Sequence, residues 1–210
     1  MKKIGHALIL IVVLINCQEP KDVQQRSQFS KDIGESIPND VAERWVNRFK
    51  ANTNASKIQN TGLSAAALHD RLTPLATKVG VLLHHATDNH GQHHILFIAV
   101  EEDQPLWNAQ SVIDSNGQLI DTSIAKGWAE KYRNENAQGT WAHFFGIHVF
   151  DEILSKEGLE QVNFIPAIND QGRLQLLLHV WSSVSSDGRA EAEELIVYDK
   201  SMDCPPCDDI

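Results

Sequence analysis

Two stretches of the chain share one pattern: an apolar run, a polar turn, and a second apolar run. Val79 to Val100 reads VGVLLHHATDNHGQHHILFIAV, and Val162 to Val180 reads VNFIPAINDQGRLQLLLHV. Their turns are Asp88-Asn89-His90-Gly91 and Asn169-Asp170-Gln171-Gly172. Gly beside Asn and Asp is the chemistry of a chain reversal, so each stretch is predicted as a β-hairpin.

Helical periodicity precedes each hairpin. Val41, Trp45 and Phe49 recur every fourth residue, with Ala42 and Val46 alongside, giving one apolar helical face. Asp40 and Glu43 have capping-box spacing, Pro38 sits just outside, and Asn52 to Asn54 ends the run. A second helix is predicted from Ser64 through Leu72, stopped or kinked by Pro74. The same order returns later. Ile124, Ala125, Trp128 and Tyr132 stand where Val41, Ala42, Trp45 and Phe49 stood. Trp141 to Leu154 is predicted as the matching second helix, with Phe144, Ile147, Phe150 and Leu154 as its buried stripe. Val112-Ile113-Asp114 and Val197-Tyr198-Asp199 read as a third strand after each hairpin.

The predicted architecture is therefore α+β. Two similar helix-helix-three-strand antiparallel halves, a tandem duplication over 37–118 and 119–200, pack together. Trp107 and Trp181 follow matching strands and are expected in the core or at the seam between halves.

The first residues change the picture. Lys2 and Lys3 precede the unbroken apolar run Ala7 to Ile15, which is too short to span a bilayer and has the form of a secretory leader. The run ends Leu14-Ile15-Asn16-Cys17. These residues resemble a bacterial lipoprotein signal, in which Leu lies three residues before a lipidated Cys; Asn16 stands where that family has Gly, Ala or Ser. The resemblance implies cleavage after residue 16 and acylation of Cys17, and several acyl chains hold a protein on a membrane stably. Gln18 rather than Asp after the Cys favours the outer membrane over the inner. An ordinary signal peptide with a soluble product is the alternative. Residues 17–36 are polar and without sustained periodicity, and read as a tether.

The net charge is −10, and the leader holds two of the basic residues, so the mature part is more acidic still. Such a surface repels phosphates, which argues against nucleic acid as a partner.

Candidate chemistry lies in two places. His84, His85, His90, His93 and His94 crowd the first hairpin. With the turn centred on Asn89-His90, His85 is predicted opposite His94 on one face, and His84 and His93 on the other. A Zn, Cu or Ni site is one reading, needing Asp88, His69 or the C-terminal tail to complete it. A polar hairpin tip is the simpler one. The second hairpin has Ile165, Pro166, Leu174 and Gln175 at the positions of His84, His85, His93 and His94, so histidine is not required for the hairpin to fold. Cys204 and Cys207 form Cys-Pro-Pro-Cys in the tail 201–210. Outside the cytoplasm a disulfide is the default. Too few residues follow for the helix that activates a redox pair, and Asp203, Asp208 and Asp209 disfavour a thiolate.

The chain has no G-x-S-x-G, P-loop, dinucleotide fingerprint or H-E-x-x-H. No catalytic residues are assigned, and no cofactor is expected apart from that metal reading. The overall pattern resembles exported bacterial proteins with a short Cys-Pro-Pro tail, a resemblance that carries no activity. The reading favoured is a lipid-anchored envelope protein that binds another envelope protein or serves structurally. A metal-binding protein and an enzyme of another type are the alternatives.

Overall fold

Both predicted hairpins form. The computed structural model describes residues 29–52, 58, 61–102, 106–108, 112–183, 196–199 and 201–204. The strands are β1 (Glu35–Ile37), β2 (Thr61–Ser64), β3 (Lys78–Thr87), β4 (His93–Glu101), β5 (Ala142–Gly146), β6 (Leu159–Ile168), β7 (Leu174–Ser182), β8 (Ile196–Asp199) and β9 (Met202–Cys204). The helices are α1 (Asn39–Ala51), α2 (Ala65–Leu72), α3 (Thr122–Glu135) and α4 (Ile147–Leu154), with short 3-10 turns at Leu75–Thr77 and Leu106–Asn108. The class is mixed α+β, with two antiparallel sheets and four helices among the described residues.

Sheet A has the order β1-β8-β7-β6-β2 and sheet B the order β4-β3-β5-β9. Residues alternate between the two faces of each strand. Val81, Leu83, Ile95 and Phe97 of sheet B share a central core with Val162, Phe164, Leu176 and Leu178 of sheet A, joined by Leu68 and Leu72 of α2 and Phe150 of α4. On the far side of sheet B, Leu82, Leu96 and Ile98 meet Ala125 and Ala129 of α3. On the far side of sheet A, Ala167 and Leu177 meet Ala42, Val41 and Trp45 of α1.

Three local expectations are corrected. The stretch from Trp141 is not one helix: it is strand β5 and then α4. A strand lets Phe144 bury toward α3 and Phe145 toward the central core, and each ring is worth on the order of 2–3 kcal/mol removed from water. One helical stripe cannot bury both. Gly146 permits the change of direction, since a Cβ there would sit 2.2 Å from the Lys31 carbonyl oxygen. Asp40 does not cap α1. The helix starts at Asn39, two residues earlier than an Asp40 cap would set it, and the Pro38 carbonyl accepts from Val41 and Ala42 N–H. α2 is capped as the sequence suggests, by Ser64 accepting from Ala67 N–H at 3.3 Å. Finally, Trp107 does pack against a core cluster, under α3, whereas Trp181 is 37% exposed and not in the core.

The chain path was not legible in the sequence. β2, which follows α1, pairs with β6, with Leu63 opposite Val162. β5, which follows α3, pairs with β3, with Phe144 opposite Leu82. Each short strand thus completes the sheet built on the other hairpin. The lead-ins to α1 and α3 do likewise: Ile37 pairs with Val197, and Ile120 N–H donates to the Val112 carbonyl. Of the two expected third strands, the second forms, as β8 against β7, while at 112–114 there is only an isolated bridge between Ile113 and Phe97. The body also begins within the stretch read as tether, because Phe29 lies 4.4 Å from the Phe144 ring. β9 flanks β5, whereas the outer edge of β2 carries no strand among the described residues.

Candidate functional site

The β3–β4 turn decides which histidines meet. Asp88 N–H donates to the Gln92 carbonyl, Gly91 N–H donates to the Asp88 carbonyl, and the Asp88 carboxylate accepts from His90 and Gln92 N–H at 2.8 Å. Gly91 closes this loop at φ 79°, the left-handed region that suits glycine. The loop therefore holds three residues, 89–91, rather than two. That shift overturns the predicted register: Ala86, not His85, lies opposite His94, and Thr87 lies opposite His93. A one-residue slip moves every side chain to the other face.

His85 and His93 instead meet diagonally, with Nδ1 of His85 2.9 Å from Nε2 of His93. His143 on β5, which faces Leu83, joins them with its ring 5.5 Å from that of His85. Tyr132 of α3 stacks on His85 at 5.1 Å. His84 points elsewhere: its Nδ1 donates to the His85 carbonyl at 2.6 Å, and its ring lies 5.9 Å from Trp107. His94 stacks on Trp128 at 5.0 Å and lies 3.3 Å from the Asp88 carboxylate. His90 is exposed at the tip, and His69 is exposed on α2. Cys204 lies in β9, while Cys17 and Cys207 fall outside the described residues.

Burial favours the neutral form of His84, His85 and His93. Burial lowers His84 and His93 to about 4, with the Arg133 charge adding to the effect at His84 and His94 adding to it at His93. Burial and the neighbouring imidazoles His93 and His143 lower His85 well below the usual range. Burial raises Tyr132 to about 12. In a neutral His85–His93 pair one ring donates and the other accepts. Either tautomer choice leaves one N–H and one lone pair, on His85 Nε2 and His93 Nδ1, and both atoms are buried without a hydrogen-bond partner. These two atoms sit on the sides of the rings away from the shared bond. Binding one ion between both rings therefore requires that bond to break. Among the described residues no three His, Cys, Asp or Glu side chains are grouped so as to hold a metal ion.

His143 was missed by sequence reasoning because its own strand, β5, was taken for part of a helix. Tyr132 was read only as a core aromatic. By strand register, Pro166, Leu174 and Thr61 stand in sheet A where His85, His93 and His143 stand in sheet B, and helix spacing sets Phe49 of α1 against Tyr132 of α3.

The second feature is a groove on the outer face of sheet A, about 280 Å³ in volume, between α1 and the strands. Ala42, Val46 and Asn47 form one wall, and Leu177, His179 and Val197 the other. Beneath α3 on sheet B, Leu106 and Trp107 pack against the core cluster that includes Leu96, Ile98, Val112, Ala125 and Ala129. Sequence reading had not separated these two helix–sheet layers.

No protein-family model, curated protein or solved structure matches the chain.

Proposed function

We propose that this is a lipid-anchored cell-envelope protein, held on the membrane through acylated Cys17, with the outer membrane favoured. Its body is a tandem duplication, and it works by binding another envelope protein rather than by catalysis. Cys204 and Cys207 form a disulfide in this reading.

Several matches support duplication. Asn169 repeats the Asp88 turn bond for bond, accepting from Gln171 and Arg173 N–H at 3.0 Å, with Gly172 at φ 77°. Register shifts occur at the same place in both hairpins, between Lys78 and Gly80 and between Leu159 and Gln161. Buried Leu63, Leu68 and Val81 have Phe145, Phe150 and Val162 as counterparts in one core.

The observation that carries the binding role is the broken symmetry beneath the long helices. Beneath α3, Leu106 and Trp107 pack against the core cluster; beneath α1 there is, among the described residues, an open apolar groove. Unfilled concave apolar surface is where a ligand gains most from leaving water. The test has two parts. Intact mass of the protein purified from native membranes should fit loss of residues 1–16 and added acyl chains, absent in Cys17→Ala. A crosslinked pulldown from detergent-solubilised envelope should recover a reproducible partner. Recovery of none, or an unmodified full-length mass, sinks the corresponding half.

A second reading is favoured by the two partnerless ring nitrogens on His85 and His93: a Zn, Cu or Ni ion held by imidazoles after the His85–His93 bond opens. Elemental analysis of the native protein decides it. Absence of all three metals, with no change in zinc affinity in His93→Leu, removes it.

A further inference from the structure

We infer that the paired imidazoles of His85 and His93 hold one soft monovalent cation, copper(I), bound in line between Nδ1 of His85 and Nε2 of His93. This rests on the metal reading above and names the oxidation state and the two donor atoms.

As a purely structural device the pair is a poor one. The two nitrogens lie 2.9 Å apart, yet on the outward sides His85 Nε2 and His93 Nδ1 are buried without a hydrogen-bond partner. His85 itself has no exposed surface. A buried polar atom left unpaired is destabilising, whereas apolar residues in place of both partners are close to neutral. Sheet A has that apolar solution, with Pro166 and Leu174 at the same register positions. Unpaired buried groups in a native protein call for an explanation, and a bound ion is one.

The surroundings select the ion. Copper(I) is satisfied by two donors in line, while zinc takes four ligands and copper(II) or nickel(II) a square or octahedral set. Among the described residues no third His, Cys, Asp or Glu is grouped with these rings so as to complete a larger set. Tyr132 stacks on His85 at 5.1 Å and meets His93 edge-on at 5.6 Å, and an aromatic ring favours a positive charge without supplying an anion. Of the charged groups nearby, Lys131 and the Asp88–His94 contact lie at the turn, and Asp203 stands opposite His143 in the β5–β9 register. A nitrogen–metal bond of about 2 Å sets the two nitrogens about 4 Å apart across a linear ion, so the rings must part by about 1 Å. His85 is fixed beneath Tyr132, whereas His93 is partly exposed, so His93 moves and admits the ion. The protons balance. Each neutral ring has one N–H; the ring that carries it on the shared side shifts it to its outward nitrogen through solvent, and both inward lone pairs then bind the ion. No proton or electron leaves the site, and the only bond lost is the shared one.

The probe is copper(I) itself, supplied anaerobically to the purified full-length protein with its cysteines capped by iodoacetamide. Affinity is read by competition with a coloured copper(I) chelator, and the donor atoms by long-range proton–nitrogen spectra of the isotope-labelled imidazoles. One equivalent should bind, with the large nitrogen shifts at Nδ1 of His85 and Nε2 of His93. His93→Leu should weaken binding roughly a hundredfold and keep the native circular dichroism, since Leu174 occupies that place in sheet A. His90→Ala, at the exposed tip, should leave the affinity within about twofold. The ring spectra of the unsubstituted protein decide the matter even where His93→Leu fails to fold. Inward nitrogens that do not shift under saturating copper(I), or full affinity in His93→Leu, overturn the inference. Zinc or nickel that displaces copper(I) from these rings at equal concentration overturns the monovalent assignment and leaves the metal reading standing. Zinc binding at these rings that Asp203→Asn abolishes does the same, by adding a carboxylate to the ligand set. No perturbation of either ring by copper, zinc or nickel removes both.

Discussion

Acid should weaken this protein well before its carboxylates titrate. The perturbation is a fall in pH from 7.5 to 5. His84 and His93 have folded-state values of about 4 against 6.5 when exposed in the unfolded chain, so the unfolded chain takes up protons that the native state refuses. Because the folded value is depressed, the stabilisation is complete above 6.5 and is lost as the pH falls toward 4. At pH 5 each ring should have forfeited on the order of 2 kcal/mol. Two such rings remove roughly 4 kcal/mol, a large share of the 5–15 kcal/mol typical of a domain. His85 acts in the same direction, and the cluster cannot absorb charge gracefully, since His85 and His93 are 2.9 Å apart with His143 beside them. Arg133 and Lys131, on the helix packed against β3, supply further positive charge, and the Asp88–His94 contact lies on the tip side. The assay is urea unfolding followed by tryptophan fluorescence at pH 7.5, 6.5, 5.5 and 5. Stability should be level above 6.5 and fall steeply below it. His93→Leu, which borrows Leu174 from the counterpart hairpin, should remove about half of the slope. A flat profile down to pH 5, or an unchanged slope in His93→Leu, would refute the reasoning.

Gly91→Ala and Gly172→Ala should each cost about 1 kcal/mol, because a Cβ meets nothing within 4 Å and only the positive φ is penalised; chemical denaturation of both variants checks that the two costs agree. Trp107→Ala should destabilise by about 2 kcal/mol, below the 3–5 kcal/mol of a fully buried aromatic because the ring is only half-buried; a change within 0.5 kcal/mol would mean that its packing under α3 contributes nothing to stability. Asp170 is held down to about 2 by hydrogen bonds from Arg44 and Arg48. Arg44→Ala and Arg48→Ala should each raise it toward 3.8, read by carboxyl NMR titration.

Much of the fold lay open in the sequence because it rests on local periodicity. The four-residue spacing of Val41, Trp45 and Phe49 does mark α1, and the apolar runs around Gly91 and Gly172 do mark the hairpins. The strand β5 was hidden because Phe144, Ile147, Phe150 and Leu154 also fit a helical stripe. Only the position of sheet B shows why Phe144 and Phe145 must part. The exchange of β2 and β5 is a long-range fact with no local signature. The candidate site fared worse for one reason: its geometry turns on the length of a loop. Counting two turn residues instead of three paired His85 with His94, whereas Asp88 closes the loop one residue later and brings His85 to His93. The groove depends on a comparison between two packed layers, which no stretch of residues displays by itself.

The exchange of short strands also sets an order of assembly. Residues 78–146 run without interruption through β3, β4, the 112–120 return, α3 and β5, and so include every strand of sheet B except the flanking β9. Sheet A joins 35–64 to 159–199, which requires the two outer parts of the chain to find one another. Closing so long a loop costs entropy before any contact offsets it. The middle of the polypeptide should therefore gain amide protection first on refolding, with its twin condensing around it once the ends arrive.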